Sequence, residues 1–264
     1  MRTPRLAGLG LATMATVAFA VAGCGDNTAT SSTPASATPT TSGSASAADP
    51  AAAAKLSAAV EQLDQTSFTL TATSGSGFKL TGDIDAPNGK ASAQLTASGP
   101  NAELNIKTLL IGQDLYAQVP GITKAGTWTH VDGARLPANA NIGLRPGQID
   151  PVGTANLIKN TTDVKATSDT SYSGSVDLSK AAGLAGLGQV AVAASAASAA
   201  PVQNVPFTAT LDSQGRLSTL TVDLPQSEPL QVTYANYGQP VTITAPAASE
   251  ITEAPDSFYS SLGS

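Results

Sequence analysis

The chain has 264 residues and a formal net charge of −6, and only 12% of its residues are charged. An acidic chain without a cluster of basic residues is a poor partner for nucleic acid, so this class of ligand is excluded. The chain contains one cysteine and one histidine, too few for a metal site built from these two ligand types. We expect neither a metal nor a cofactor.

The beginning of the chain carries the signals of an exported and lipidated protein. Two arginines precede an almost uncharged stretch over residues 6–22, which is the arrangement of a secretory signal peptide. The next residues, Val-Ala-Gly-Cys at 21–24, resemble a bacterial lipobox. In that signal a diacylglyceryl group is added to the cysteine sulfur, which is the most nucleophilic side-chain atom available there. The resemblance implies that residues 1–23 are removed and that Cys24 becomes a lipidated N-terminus.

The alternative for Cys24 is an ordinary secreted protein with one free cysteine. An unpaired thiol is a liability in an oxidising compartment, which favours lipidation. Stable anchoring takes more than one acyl chain, and a diacylglyceryl group supplies two. The chain has no cluster of basic residues that would bind anionic lipid, so these acyl chains would have to hold it at the membrane. We therefore expect the mature chain at the extracytoplasmic face of the bacterial cell membrane, held there by its diacylglyceryl-cysteine.

A tether and a helix follow the lipidation signal. Residues 24–49 are rich in Ser, Thr, Ala and Pro and show no hydrophobic pattern, which predicts a flexible tether. Asp49 followed by Pro50 is typical of a helix N-cap with proline at the first helical position. Apolar residues at helical spacing then predict an amphipathic helix over residues 51–64.

Alternation of apolar and polar residues then predicts strands in two blocks. In the first block, residues 68–119, short alternating runs are separated by turn sequences, which indicates an antiparallel meander with one solvated and one covered face. The second block starts at Tyr172, and in it residues 241–243 are predicted to pair with the strand at 230–234. Helices are predicted between the blocks, at residues 151–160, and in an Ala/Gly-rich stretch at 179–199.

The sequence offers little for catalysis. His130 is the single imidazole, and the chain contains no nucleophile-elbow sequence Gly-x-Ser-x-Gly and no glycine-rich phosphate loop. We interpret His130, in a strand-like stretch, as a residue at the surface or rim of the sheet. Asp83 and Asp85 alternate with an isoleucine beside a turn, so they are interpreted as solvated turn charges. The chain is therefore not expected to be an enzyme.

Several segments carry a resemblance to a known family. They are GQDLYAQV at 112–119, the Trp-centred strand at 127–131, QIDPVGTANLIKNTTDVKA at 148–166 and YANYGQPVTITAP at 234–246. In order and local pattern they resemble the mycobacterial LppX/LprAFG lipoproteins and, more distantly, the LolA-type lipoprotein carriers. The resemblance covers residues 50–247 and leaves residues 248–264 as a C-terminal tail. It implies an α+β fold, in which a curved antiparallel sheet forms a half-open barrel with helices on its concave face.

The resemblance also implies a function, since members of this family are implicated in carrying lipids or glycolipids outward through the envelope. Their acyl chains lie in an apolar cavity, so a lipid or glycolipid is the expected ligand and an envelope transport protein a further partner. Only 4% of the residues are aromatic, so large side chains that could fill such a cavity are scarce. The candidate lining residues, all on the apolar phases of their elements, are Leu70, Ile84, Leu95, Leu104, Ile106, Leu115, Leu157, Val176 and Leu220.

Two other functions stay open at this point. A non-catalytic structural or adaptor lipoprotein would use a face or edge of the sheet to bind another envelope protein, without a ligand cavity. The Ala/Gly-rich stretch at 179–199 favours this alternative if it forms a helix that fills the cavity. An enzyme acting on cell-wall polymer is the third function, and the scarcity of catalytic side chains speaks against it.

Overall fold

The computed structural model describes the chain over six ranges: 48–99, 102–121, 123–137, 144–180, 203–225 and 227–261. The predicted signal peptide, Cys24 and nearly all of the predicted tether lie outside the described residues. The same holds for the Ala/Gly-rich helix predicted at 179–199, of which only the first two residues are described, as part of a turn.

A large antiparallel sheet dominates the described part of the chain. Its elements in chain order are α1 (Pro50–Glu61), β1 (Ser67–Ser74), β2 (Phe78–Asp85), β3 (Lys90–Gly99), β4 (Ala102–Ile111), β5 (Asp114–Gln118), β6 (Trp128–Asp132), β7 (Leu144–Arg145), β8 (Gln148–Ile149), α2 (Thr154–Lys159), β9 (Thr161–Ala166), β10 (Ser171–Val176), β11 (Val205–Leu211), β12 (Leu217–Val222), β13 (Leu230–Ala235), β14 (Ile251–Glu253) and α3 (Asp256–Ser261). Within the described residues, 12 strands form one sheet, and β7 and β8 form a separate hairpin.

The order of strands across the large sheet is β14-β6-β5-β4-β3-β2-β1-β13-β12-β11-β10-β9. Neighbouring strands are antiparallel, which confirms the predicted antiparallel sheet, and the exception is β14, which lies parallel to β6. The sheet is open, because β14 and β9 end it at opposite edges and do not pair with each other. A turn with Gly89 in the left-handed region (φ 62°) joins β2 to β3, as the sequence Ala-Pro-Asn-Gly predicts.

Period-two alternation in the strands places one apolar row after another on the same face of the sheet. One such row crosses the six strands from β1 to β6, and each of its side chains is at most 7% exposed. It consists of Phe68, Ile84, Ala91, Leu110, Leu115 and Val131. This face is the apolar face of the sheet, and the opposite, Thr-rich face is its polar face.

Helix α1 begins where the sequence predicts. The Asp49 side chain accepts a hydrogen bond from the backbone N–H of Ala51 at 2.9 Å, and a proline occupies the first turn. A 3-10 turn over Gln62–Gln65 extends the helix, so the predicted helix over 51–64 is confirmed. Its apolar stripe, with Leu56 fully buried, belongs to the same hydrophobic core as the apolar face of the sheet.

Helix α2 confirms the helix predicted at 151–160 and is held by polar groups at its first turn. Asp150 accepts hydrogen bonds from the backbone N–H groups of Thr154 at 2.8 Å and Ala155 at 2.9 Å. Burial raises the pKa of the Asp150 carboxyl, although these N–H groups act in the opposite direction. The Thr154 hydroxyl is hydrogen-bonded to that of Tyr234 on β13, and burial raises the pKa of the Tyr234 phenol. The helix is therefore fixed to the sheet by a satisfied polar contact inside the core.

One strand prediction is wrong. Residues 241–243 do not pair with β13, because both edges of β13 are already occupied by β1 and β12. Residues 251–261, assigned above to a C-terminal tail, form β14 and α3. Strand β9, at the far edge of the sheet, comes from a segment that carries no period-two pattern and was not predicted as a strand.

Candidate functional site

The structure separates the nine candidate lining residues into two groups. Six of them belong to the hydrophobic core and are at most 7% exposed. These six are Leu70, Ile84, Leu115, Leu157, Val176 and Leu220. Leu95 is partly buried at the border of this core, and Leu104 and Ile106 are half-buried on β4, outside the core that the described residues form.

The half-buried members lie together on the apolar face. Leu95 pairs with Ile106, and Ala97 pairs with Leu104, across the junction of β3 and β4. We call these four residues the apolar strip. On its other side Leu95 pairs with Leu80 of β2, which is 4% exposed and belongs to the core. The apolar strip is thus continuous with the core, yet its own side chains remain in contact with solvent.

A row of short side chains separates the apolar strip from the fully buried row on β3, β4 and β5. It consists of Ala93, Thr108 and Ala117. Thr108 of β4 pairs with Ala93 of β3 on one side and with Ala117 of β5 on the other. All three are half-buried. Short side chains therefore lie here between rows of leucine and isoleucine on the apolar face. At the β2 end of this row the space over Gly82 is occupied, since a Cβ at Gly82 would lie 3.1 Å from Ile84 Cδ1.

The polar face carries the single histidine of the chain. His130 Nε2 lies 2.8 Å from Asp114 Oδ1, and its Nδ1 lies 2.8 Å from Glu253 Oε2, so the ring bridges β5 and β14. Burial opposes the charged imidazolium, but the hydrogen bonds that its ring N–H groups donate to Glu253 and Asp114 outweigh this effect and raise the pKa of His130 above 6.5. The sequence predicts a rim residue here but does not reveal the contact with Glu253, which depends on the parallel strand β14.

Neither a metal-binding cluster nor a membrane-spanning helix is found among the described residues. The carboxylates of Asp114 and Glu253 bind opposite nitrogens of the His130 ring, and no three His, Cys, Asp or Glu side chains of the described ranges are arranged so that they could hold a metal ion. Among the helices of the described residues, none combines the length and the apolar character that a membrane span requires. The apolar strip, with the short side chains beside it, is the candidate site for an apolar ligand.

One comparison with known proteins finds a match. The family model described as LppX_LprAFG lipoprotein matches residues 49–243, which include every strand from β1 to β13. A search among curated proteins finds no match. The family match confirms the resemblance inferred from the four sequence segments. Because it spans well over half of the chain, this chain belongs to the LppX_LprAFG lipoprotein family.

Proposed function

We propose that this chain is a membrane-anchored cell-envelope lipoprotein that binds the acyl chains of a lipid or glycolipid and helps to carry them. Membership in a lipoprotein family supports lipid binding as the general function. The observation that carries the proposal is the apolar strip, in which Leu95, Leu104 and Ile106 remain partly exposed beside an otherwise closed core.

The free energy of hydration favours an acyl chain as the occupant of the strip. Removing apolar surface from water stabilises a protein or complex by about 25 cal/mol per Å². The partly exposed leucine and isoleucine side chains of the strip would therefore be stabilised further if a ligand covered them. An acyl chain is unbranched and apolar, and each of its methylene groups gains about 0.8 kcal/mol on burial. We propose that it lies along the strip and over the short side chains of Ala93 and Thr108, which are only partly buried.

The proposal includes the curvature of the sheet and the attachment of the chain. We propose that the sheet curves into a half-open barrel with α1 and α2 on its concave face, so that the strip lines one wall of a cavity. The position of both helices on the apolar face supports this arrangement. Lipidated Cys24 and the tether over 24–49 would hold the domain over 50–247 close to the bilayer, and an envelope transport protein would receive the lipid. No catalytic step is part of this function.

Native mass spectrometry tests the proposal on the full chain carrying Cys24→Ser, which has no acyl chains of its own, after production in a lipid-rich host. We expect a complex with co-purified lipid, and we expect Ile106→Asp to abolish it by placing a charge on the strip. Asn105→Asp is the matched control, because it adds the same charge one residue away on the polar face.

Each outcome of this experiment is decisive. Lipid in the Asn105→Asp control but not in Ile106→Asp supports binding at the strip. Equal amounts of lipid in both variants would contradict the strip as the site. A protein without lipid in all three preparations would contradict lipid carriage and favour the non-catalytic adaptor that binds another envelope protein.

A further inference from the structure

A groove of about 300 Å³ crosses β1, β2, β3 and β4, and Trp128 of β6 also lines it. Four of its lining residues form one row, since Thr71 pairs with Thr81, Thr81 with Gln94, and Gln94 with Lys107. This volume is at the lower end of the range of about 300–1,000 Å³ that is common for sites of small ligands. We call it the polar groove.

The polar groove and the apolar strip use opposite faces of the sheet. Thr81, Gln94 and Lys107 alternate along their strands with the residues of the apolar face. Trp128 lies two residues from His130, whose ring reaches Asp114 on the polar face, so both side chains point to that face. A ligand in the groove is therefore separated by the sheet from an acyl chain on the strip.

Several polar groups of the groove retain hydrogen-bonding capacity. In the part of the chain that the structure describes, the hydroxyls of Thr71 and Thr81 and the ammonium of Lys107 have no hydrogen-bond or ion-pair partner. Gln94 uses one N–H, to Asn105 Oδ1 at 3.2 Å, which leaves its carbonyl oxygen available. The groove thus offers hydroxyl and amide groups that both donate and accept.

The charge of the groove favours an uncharged ligand. One carboxylate, Asp83, and one ammonium, Lys107, lie among its lining residues, so neither a polyanion nor a polycation finds a complementary field. Trp128, the single tryptophan of the chain, is half-buried there and supplies a flat apolar surface with a polar N–H at its edge. A sugar ring combines an apolar C–H face with a rim of neutral hydroxyl groups. Its C–H face matches the ring of Trp128, and its hydroxyl groups match the hydroxyl and amide groups of the groove.

We infer that the polar groove binds sugar residues of a neutral glycan. This site goes beyond the proposed lipid binding and does not depend on it, because the glycan and the acyl chain would occupy different faces. A chain tethered to the membrane by lipid could then contact an envelope polysaccharide through the outer side of its sheet.

Tryptophan fluorescence tests this inference at the site itself, since Trp128 is the single tryptophan. The full chain carrying Cys24→Ser is first screened on an array of neutral oligosaccharides, and the hits are titrated while Trp128 emission is recorded. We expect a saturable change, and we expect Thr81→Val to weaken binding about tenfold through the loss of one hydrogen-bonding hydroxyl. Thr221→Val, on the same face but outside the groove, is the matched control and should leave the affinity unchanged.

The contrary results are equally clear. An array without a single neutral hit, in a protein whose unfolding curve is that of a folded chain, would overturn the inference. Equal weakening by Thr81→Val and Thr221→Val would also overturn it. Binding of sulfated oligosaccharides alone would show that charge and not hydroxyl chemistry governs the face, which contradicts a neutral glycan site. In each of these cases, lipid binding by the same protein would be unaffected, because the acyl chain would occupy the opposite face of the sheet.

Discussion

Replacement of His130 by Gln is expected to remove a pH-dependent part of the stability of the fold. The imidazole lies between Asp114 Oδ1 and Glu253 Oε2, at 2.8 Å from each. Strand β14, which carries Glu253, is short, and it pairs with β6 while the backbone N–H of Ala254 donates to the His130 carbonyl at 2.9 Å. The protonated ring therefore links β14 to the sheet through two charge-assisted hydrogen bonds.

The size of the effect follows from the exposure of the partners. A hydrogen bond to a charged group contributes about 1.5–3 kcal/mol when buried, but an exposed ion pair contributes about 0.2–1 kcal/mol. The His130 side chain is 18% exposed, while those of Asp114 and Glu253 are 52% and 74% exposed. We therefore take a value near the upper end for exposed pairs, about 0.5–1 kcal/mol for each bond and about 1–2 kcal/mol together.

The direction of the pH dependence follows from the raised pKa of His130. The folded state binds the proton more tightly than the unfolded chain, whose histidine titrates near 6.5. The stabilisation is therefore fully present below pH 6.5, while the carboxylates remain ionised, and it is lost as the pH rises through the pKa of the folded state. Because the chain has one histidine, no second imidazole titrates in this range.

Urea unfolding at pH 5.5 and pH 8.5 measures this effect. We expect the free energy of unfolding of the wild type to be about 1–2 kcal/mol lower at pH 8.5, and that of His130→Gln to be nearly constant. Glu253→Gln should lose about half of the difference, whereas Glu250→Gln, in the same segment but away from the ring, should retain all of it. A pH dependence that persists in His130→Gln would show that a group other than this imidazole is responsible for it.

Three further predictions follow from the packing and from the lipidation signal. Ile106→Trp should lower the free energy of unfolding by less than about 1 kcal/mol, because this side chain is partly exposed. Leu110→Trp, at a position with 0% exposure on the same face, should lower it by about 1–3 kcal/mol by overpacking. Equal shifts of the two urea midpoints would contradict an open strip. Asp150→Ala should cost about 1–2 kcal/mol in urea unfolding, because it removes two capping hydrogen bonds of α2, and an unchanged midpoint would speak against this cap. Cys24→Ser should abolish labelling by palmitate analogues without changing the unfolding curve of the domain, and undiminished labelling would refute the anchor.

Local patterns predict most strands, but they do not reveal which strands pair. The alternation at Phe68, Leu70 and Ala72 predicts β1, and the similar alternation at 241–243 predicts a strand that the structure does not contain. The difference lies in a long-range contact: β1 pairs with β13, placing Leu70 opposite Tyr234. A single sequence carries no signal for a pairing across so many residues, because periodicity reports only which face of a strand is apolar.

The same limit applies to the sites. Ile106 and Leu110 occupy the same phase of β4, so their positions alone place both side chains on the apolar face. Ile106 is nevertheless partly exposed, whereas Leu110 is fully buried. Their difference depends on what packs over each end of the strand. The contact of His130 with Glu253 joins residues 123 positions apart and requires a parallel edge strand of three residues, too short to show a period.

Photocrosslinking tests lipid binding at the apolar strip most directly. A phospholipid with a diazirine near the end of one acyl chain is incubated with the Cys24→Ser chain and irradiated, and the labelled residues are identified by mass spectrometry. We expect labelling at Leu95, Leu104 or Ile106, and we expect excess unlabelled phospholipid to compete with it. Label on the neighbouring polar-face residues Gln94 and Asn105 instead, or label that unlabelled phospholipid does not displace, would contradict lipid binding at the strip.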